Sequence, residues 1–145
     1  MKYNRSEIMK AAWNLVKTSS MTISSALKAA WASAKVSSKV IANGSEKQNA
    51  WAADIVSRPV ARVIESIARQ ARNVSLGYAE DAVVIDPLYT AIAMYIDRLN
   101  KFSADLTARF CIDYRDQFSR MMYNFVVKAF RAAGLKHNPN NFCYM

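Results

Sequence analysis

The residues best suited to bind a partner are lysines and tryptophans that recur at the same spacing near the start of the chain. A lysine, a tryptophan three positions later and a second lysine seven positions after the first occur twice. Lysine ammonium groups bind phosphates and carboxylates, and an indole at the border of an apolar face can offer one ring edge to a partner. In the alternative interpretation, the lysine stems only pack over the rings. The candidate residues are Lys10, Trp13, Lys17, Lys28, Trp31 and Lys35.

Both copies of this pattern lie on predicted amphipathic helices, each with an apolar core face and its lysines on the opposite edge. Asn4 is the predicted N-cap of the first helix. The second helix is predicted to begin at Thr22 or Ser24 and to continue past Lys35 toward Asn43-Gly44. The turn between them predicts a basic αα-hairpin over residues 1–44. The two core faces contain Ile8, Ala12, Leu15 and Val16, and Ile23, Ala26, Ala30 and Ala34.

Residues 4–35 resemble a short N-terminal module of small proteins from phages and mobile elements of low-GC Gram-positive bacteria. The shared pattern is I-M-K-x-A-W followed by S-x-A-L-K-x-A-W-x-x-A-K, and it does not extend beyond this segment. Some proteins with such a module act in counter-defence, including certain anti-CRISPR proteins. The resemblance therefore implies a counter-defence function, but it assigns no individual catalytic or binding residue.

A second candidate surface is a row of arginines on a helix predicted to run from Pro59 to about Asn73. Proline lacks the amide proton that a helix interior needs. We therefore expect the helix from Ala50 to end before Pro59, and a fresh helix, capped by Ser57 or Arg58, to begin there. Arginine binds phosphate through two parallel hydrogen bonds, although a simply solvated face is the alternative. The row contains Arg58, Arg62, Arg69 and Arg72.

The remaining chain is predicted to complete a helical bundle over residues 45–134, followed by a tail over residues 135–145. Asp86-Pro87 is expected to start one helix, and Ser103 to cap a long C-terminal helix from Ala104 to Ala133. The run Ala82–Ile85 is either a strand or a helical turn. The predicted fold class is all-α, with an N-terminal αα-hairpin attached to a small bundle that has a long C-terminal helix.

The predicted C-terminal helix and tail carry several aromatic and methionine residues. We interpret these mainly as core, and alternatively as an adaptable protein-binding patch or a dimer seam. Asp113 and Asp116 alternate with arginines, so we expect structural ion pairs and no acid–base chemistry there. Phe142 and Tyr144 are expected to pin the tail to the body. The core stripe contains Leu106, Phe110, Tyr114, Met121, Phe125 and Ala129, and the surface candidates are Met121, Met122, Tyr123, Phe125 and Phe130.

Positive charge is concentrated in the first half of the chain. Of the formal net charge of +9, residues 1–72 carry +8 and residues 73–145 carry +1. A basic half attracts nucleic acid, a ribonucleoprotein or an acidic protein surface. Net charge also serves solubility, but solubility does not require the charge to be clustered. The distribution therefore favours a polyanionic partner.

The sequence carries none of the usual signatures of catalysis, metal binding or membrane insertion. The single histidine, His137, lies in the tail, and no Walker loop, dinucleotide glycine pattern or metal-ligand spacing occurs. Cys111 and Cys143 are too few and too isolated for a disulfide framework or a zinc site. No apolar run approaches the roughly 18 residues of a membrane helix. We expect a non-enzymatic protein without cofactor or metal, located in the cytoplasm of a bacterial host cell.

Two hypotheses of function follow. In the first, the protein inhibits host defence by binding a ribonucleoprotein or nuclease complex, such as a CRISPR effector. In the second, it binds DNA or RNA directly as a phage regulator or accessory factor. No helix-turn-helix with a glycine-containing turn is recognisable, which weakens sequence-specific readout. A homodimer is compatible with both hypotheses, and the resemblance favours the first.

Overall fold

The computed structural model describes residues 3–102 and 105–136, which form an all-α bundle. The helices are α1 (Arg5–Ser19), α2 (Ile23–Ser37), α3 (Glu46–Ser75), α4 (Ile85–Lys101), α5 (Ala108–Asp113) and α6 (Arg115–Ala132). A 3₁₀ helix, Ala79–Val84, connects α3 to α4. In the described residues, β pairing is confined to one isolated parallel bridge between Ile41 and Thr107. The predicted all-α class is confirmed.

The first two helices pack against each other as the predicted hairpin. The Asn4 side chain accepts a hydrogen bond from the Glu7 amide at 3.3 Å, and the Thr22 side chain accepts one from the Ser25 amide at 3.2 Å. Both caps occupy amide protons that a helix start would otherwise leave unpaired. The turn closes at Ser20, which adopts a left-handed conformation with φ 56°.

The second helix is shorter than the sequence predicts. It ends at Ser37, where the Lys39 amide closes a tighter turn onto the Val36 carbonyl, three residues back, at 3.0 Å. The chain then leaves the hairpin, and the Ile41 amide donates to the carbonyl of Leu106 at 2.8 Å. The predicted continuation toward Asn43-Gly44 is therefore wrong, since this segment instead pairs with the chain before α5.

Small residues fill the hairpin interface, as the periodicity predicts. Alanines of both helices are buried, which lets the two backbones approach closely. Ile23 is the exception among the predicted core residues, since it begins α2 and remains 40% exposed. The buried alanines are Ala12, Ala26, Ala29, Ala30 and Ala32.

The central helix α3 runs for 30 residues and passes through Pro59, contrary to the prediction of two helices. Pro59 is fully buried, and two side chains donate to carbonyls of the turn before it. The Tyr95 hydroxyl, from α4, donates to the Val56 carbonyl at 2.7 Å, and the Ser57 hydroxyl donates to the Ala53 carbonyl at 2.7 Å. The amide that Pro59 lacks would have bonded the Ile55 carbonyl, and these two bonds hold carbonyls on either side of it.

The start of α3 lies at the predicted boundary between hairpin and body. Ser45 and Gln48 form a reciprocal capping box, in which each side chain bonds the backbone of the other. Contacts of α3 with helices on both sides join the buried residues into one cluster. That cluster contains Ile8 and Val36 of the hairpin together with Leu99 and Val126 of the body.

The start of α4 also differs from the prediction. The 3₁₀ helix leads directly into α4 at Ile85, so Asp86 lies within the first turn and does not cap it. Pro87 is accepted there because the first amides of a helix need no intrahelical carbonyl. The run Ala82–Ile85 is thus helical, and Val83 is 57% exposed.

The predicted long C-terminal helix is two helices that meet at Tyr114. Thr107 caps α5 by accepting from the Phe110 amide at 3.2 Å. The break shifts the apolar phase, so Phe118 and Met122 are buried in α6 while Tyr114 is 47% exposed. The predicted core stripe through Phe110, Tyr114, Met121 and Phe125 therefore lies largely at the surface of the core. The expected roles of Ser103, Phe142 and Tyr144 lie outside the described residues.

Candidate polyanion-binding surface

The lysines of α1 lie on the side of the helix that faces away from the core. Ile8 and Ala12 are buried, whereas Lys10 and Lys17 are exposed, as the helical period requires. Lys10 Nζ lies 3.2 Å from Glu7 Oε1, and both side chains remain mostly exposed, at 72% and 64%. An ion pair in that setting contributes little and is screened by salt. It therefore leaves Lys10 able to exchange its partner for a phosphate.

The lysines of α2 have different surroundings. Lys28 Nζ lies 4.4 Å from the centre of the Tyr89 ring, in cation–π contact. The Tyr89 hydroxyl in turn donates to the Ser25 carbonyl at 2.9 Å, and burial raises the pKa of Tyr89. Lys28 thus helps to join α2 to α4, while Lys35 is exposed in the last turn of α2.

The two tryptophans of the repeat are not equivalent. Trp13 is 50% exposed on α1, which fits an indole that offers part of its ring to a partner. Trp31 is half-buried and packs edge-on against Tyr3, with ring centres 5.5 Å apart and planes at 78°. Trp31 therefore has a packing role at the hairpin. A third indole, Trp51 on α3, is 48% exposed and was not among the candidates.

The arginine row runs along one line of α3, at successive spacings of four, seven and three residues. Arg58 forms an ion pair with Asp54 one turn earlier, and both side chains are about half exposed, at 52% and 53%. Arg69 donates to the Ser66 hydroxyl at 3.3 Å. Arg62 is half-buried. The row is therefore partly engaged with its own helix.

The structure brings the end of the row against the end of α1. The Arg72 guanidinium donates to the carbonyl of Thr18, one residue after Lys17. A shallow groove of about 370 Å³ separates the two helices there, between Leu15 on α1 and Arg69 on α3. Arg72 places positive charge at the helix C-terminus, where the macrodipole is negative. It thereby has a structural role in anchoring the hairpin in addition to its predicted role.

A second groove was not identified as a site from the sequence. It has a volume of about 490 Å³ and lies between α4, α5 and the first half of α6. Its walls carry the aromatic residues Phe102, Phe110 and Tyr114 and the guanidinium groups of Arg98 and Arg120. The four-residue spacing of Arg98 and Phe102 on α4 is visible in the sequence. The convergence of three helices depends on the break at Tyr114, which local patterns do not indicate.

Acidic and sulfur groups offer no metal site in the described part of the chain. No group of three or more His, Cys, Asp and Glu residues there could hold a metal ion. Asp113 instead lies 3.7 Å from Arg109, as the alternating charges predict, whereas Asp116 forms no ion pair within 4.0 Å among the described residues. Cys111 is fully buried, and burial raises the pKa of its thiol to about 11.

This burial predicts that Cys111 will resist alkylation. In a Cys143→Ser background, iodoacetamide at pH 8 should modify folded Cys111 at least about 100-fold more slowly than the unfolded chain, because the thiolate is the reactive form. Because folding raises the thiol pKa from 9.0 to about 11, the folded chain holds this proton more tightly than the unfolded chain does. The stability that the neutral buried thiol contributes is therefore fully present below pH 9 and is lost as the pH rises through 11. Mass spectrometry after timed quenching measures both rates. Equal rates in buffer and in 8 M urea would contradict the burial.

These observations place the chain in the class of all-α helical bundles. No family model, curated protein or solved structure matches the chain. Among the helices of residues 3–102 and 105–136, none is both long enough and apolar enough to cross a membrane.

Proposed function

We propose that the protein is a counter-defence inhibitor that binds a nucleic-acid-handling complex of a bacterial host, such as a CRISPR effector, through the basic surface of α1, α2 and α3. The resemblance of residues 4–35 to the phage module supports the counter-defence part of the proposal. The positions of the charged residues support binding through the basic surface. We define that surface by Lys10, Lys17, Lys28, Lys35, Arg58, Arg62, Arg69 and Arg72.

The observation that carries the proposal is the exposure of the hairpin lysines in the half of the chain that holds nearly all the net charge. Lys10, Lys17 and Lys35 point into solvent, and the carboxylate of Glu7 is a weak, exposed competitor for one of them. A surface of this kind attracts phosphates over a distance of about 8 Å at physiological salt. Trp13, half exposed beside these lysines, adds a ring for close contact.

Direct binding of DNA or RNA is the second candidate function. The arginine row supports it, because Arg58 and Arg72 are 14 residues apart on one face of an uninterrupted helix. At a rise of about 1.5 Å per residue this row is about 21 Å long, which suits several consecutive phosphates of a nucleic acid. This candidate requires no protein partner.

Affinity capture from host lysate with and without nuclease separates the two candidates. If the protein binds an assembled complex, captured protein subunits should persist after RNase and DNase treatment. If it binds nucleic acid directly, purified duplex or single strands should bind without any host protein. A capture that yields neither specific nucleic acid nor a nucleic-acid-handling complex would contradict both.

An interference assay tests the counter-defence part of the proposal. Expression in a low-GC Gram-positive host with active CRISPR immunity should restore transformation by a targeted plasmid. A non-targeted plasmid serves as the reference for general effects on uptake. Transformation that stays at the immune level in every CRISPR type tested would remove the inhibitor hypothesis but leave direct nucleic-acid binding open.

The arginine row predicts the salt dependence of binding. Changing Arg58, Arg62, Arg69 and Arg72 to glutamine should lower the slope of log K against log salt by about 0.9 for each phosphate that an arginine no longer neutralises. Because Arg72 also holds the end of α1, a second variant that retains Arg72 separates binding from hairpin anchoring. Fluorescence anisotropy with the captured nucleic acid or complex at several salt concentrations gives the slopes.

The matched control for this series is drawn from the second half of the chain. Glutamine substitutions there remove the same charge from positions outside the proposed surface. If the control lowers the salt slope equally, the position of the charge does not affect binding. That result would overturn the assignment of the arginine row to the binding surface. The control set is Arg109, Arg115, Lys128 and Arg131.

A further inference from the structure

We propose that the groove between α4, α5 and α6 docks an acidic amphipathic segment of a partner protein. The inference stands on this groove alone and is independent of polyanion binding by the basic surface. We call the site the aromatic groove and define it by Arg98, Phe102, Phe110, Tyr114, Arg120 and Phe125.

The composition of the aromatic groove is that of a protein interface. Aromatic residues, methionine and arginine line it together with the amides of Gln117 and Asn124, and lysine, aspartate, glutamate, serine and alanine are not among its described lining residues. The centres of protein–protein interfaces are enriched in the first group and depleted in the second. Met121 and Phe125 are half-buried against the core, so the floor is firmly supported while part of each side chain stays accessible. Such anchored, partly exposed side chains contribute most of the binding energy in many interfaces.

The two arginines of the groove are complementary in charge to carboxylates of a binding partner. Arg98 and Arg120 are exposed, and within the described residues neither guanidinium lies within 4.0 Å of a carboxylate. Of the carboxylates on the neighbouring turns, Asp97 pairs with Lys101 at 3.0 Å and Asp113 with Arg109 at 3.7 Å, while Asp116, one turn before Arg120, lies more than 4.0 Å from its guanidinium. Two arginines beside an apolar floor therefore complement a segment that has apolar anchors flanked by Asp or Glu.

The ring geometry argues against single-stranded nucleic acid as the occupant. Base stacking needs open ring faces. Arg98 covers a face of Phe102 at 4.6 Å from the ring centre. Phe110 and Tyr114 pack on each other, with centres 4.7 Å apart and planes at 39°. These contacts within the chain already occupy part of the ring faces that bases would need, whereas apolar side chains can pack against rings in any orientation.

A second copy of the chain is also disfavoured as the occupant. In a two-fold interface the same patch meets itself, so Arg98 and Arg120 would face the same two arginines. The formal net charge of +9 adds to this repulsion. An acidic segment meets both the apolar floor and the two guanidinium groups without such a cost.

Selection from a displayed library of random 16-residue peptides on the full-length chain tests the proposal. Enriched peptides should carry apolar residues at helical spacing together with Asp or Glu. Counter-selection against Arg98→Glu/Arg120→Glu removes acidic peptides that bind the basic surface of α1 to α3. Peptides with the Asp and Glu residues changed to Lys, and a single-stranded RNA 20-mer, serve as comparison probes.

Binding by an enriched peptide should fall at least about tenfold in Tyr114→Ala and in Arg98→Glu/Arg120→Glu, since each removes a central contact. The Lys form of the peptide should bind the double variant better than it binds the original chain. The control Lys128→Glu/Lys136→Glu, which changes charge equally outside the groove, should bind as the original does. Circular dichroism establishes that each variant folds.

Four results would overturn the proposal. The first is a selection that yields no acidic amphipathic peptides, and the second is binding that the groove variants leave unchanged. The third is preferential loss of RNA binding in the groove variants. The fourth is self-association, measured by analytical ultracentrifugation, that these variants abolish, which would assign the groove to a second copy.

Discussion

Changing Lys10, Lys17, Lys28 and Lys35 together to glutamate should weaken binding to a nucleic acid or nucleic-acid complex about a thousandfold near 0.15 M salt, if each lysine neutralises one phosphate. The formal net charge falls from +9 to +1. Each phosphate that is no longer neutralised keeps its condensed counterion, so the salt slope should fall by about 3.6. Anisotropy titration of the partner captured from lysate gives both quantities. In the interference assay, the same variant should fail to restore transformation.

The control for this experiment changes the control set Arg109, Arg115, Lys128 and Arg131 to glutamate, which gives the same net charge of +1. If the basic surface is the binding site, the control should lose far less affinity than the hairpin variant. Because Lys28 also contacts the Tyr89 ring, a variant that retains Lys28 guards against loss of packing. Unchanged affinity of the folded hairpin variant would exclude α1 and α2 from the binding surface.

Local chemistry allowed the hairpin to be predicted from sequence. The caps at Asn4 and Thr22 depend on a side chain and an amide three residues apart, and the buried face of α1 depends on the helical period. Ser45 and Gln48 carry the same kind of signal for α3, since a serine followed at the third position by glutamine predicts a capping box. These features need no knowledge of distant residues.

The course of the chain through Pro59 and Tyr114 could not be predicted in the same way. Proline inside a helix costs about 3 kcal/mol, so local rules place a boundary there unless a distant partner compensates. The distant contact here is with Tyr95, 36 residues further along the chain, whose hydroxyl bonds the Val56 carbonyl in the turn before Pro59. The break at Tyr114 likewise has no local signal, since no side chain caps the start of α6, and it places Phe118 and Met122 in the core.

The sequence predicts which residues of the candidate binding surface are exposed wherever exposure follows from the helical period. Lys10 and Lys17 lie opposite the buried face of α1, as expected. The ion pair of Arg58 with Asp54 is also a local feature, at a spacing of four residues. The bond from Arg72 to Thr18 joins residues 54 positions apart, and the aromatic groove joins three helices. Both depend on tertiary packing and lie beyond sequence periodicity.

Replacement of Tyr95 should produce a large loss of stability. Tyr95→Ala should lower the free energy of unfolding by about 3–5 kcal/mol, because it removes a fully buried ring from the contact between α4 and α3. Tyr95→Phe keeps the ring and removes only the hydroxyl. It should cost about 1–3 kcal/mol, because the Val56 carbonyl loses a buried donor. Urea denaturation followed by circular dichroism gives both values.

Tyr114→Phe is the matched control, since the Tyr114 side chain is 47% exposed and its substitution should change stability by less than about 0.5 kcal/mol. A double-mutant cycle with Pro59→Ala then tests the specific role of the hydroxyl. Alanine removes the proline ring that crowds this turn and restores the amide that bonds the Ile55 carbonyl, so the helical bond from the Val60 amide to the Val56 carbonyl should strengthen and the cost of Tyr95→Phe should be smaller in that background than beside proline. If the cost is the same in both backgrounds, the hydroxyl is an ordinary buried hydrogen bond, and the continuity of α3 through Pro59 depends on packing alone.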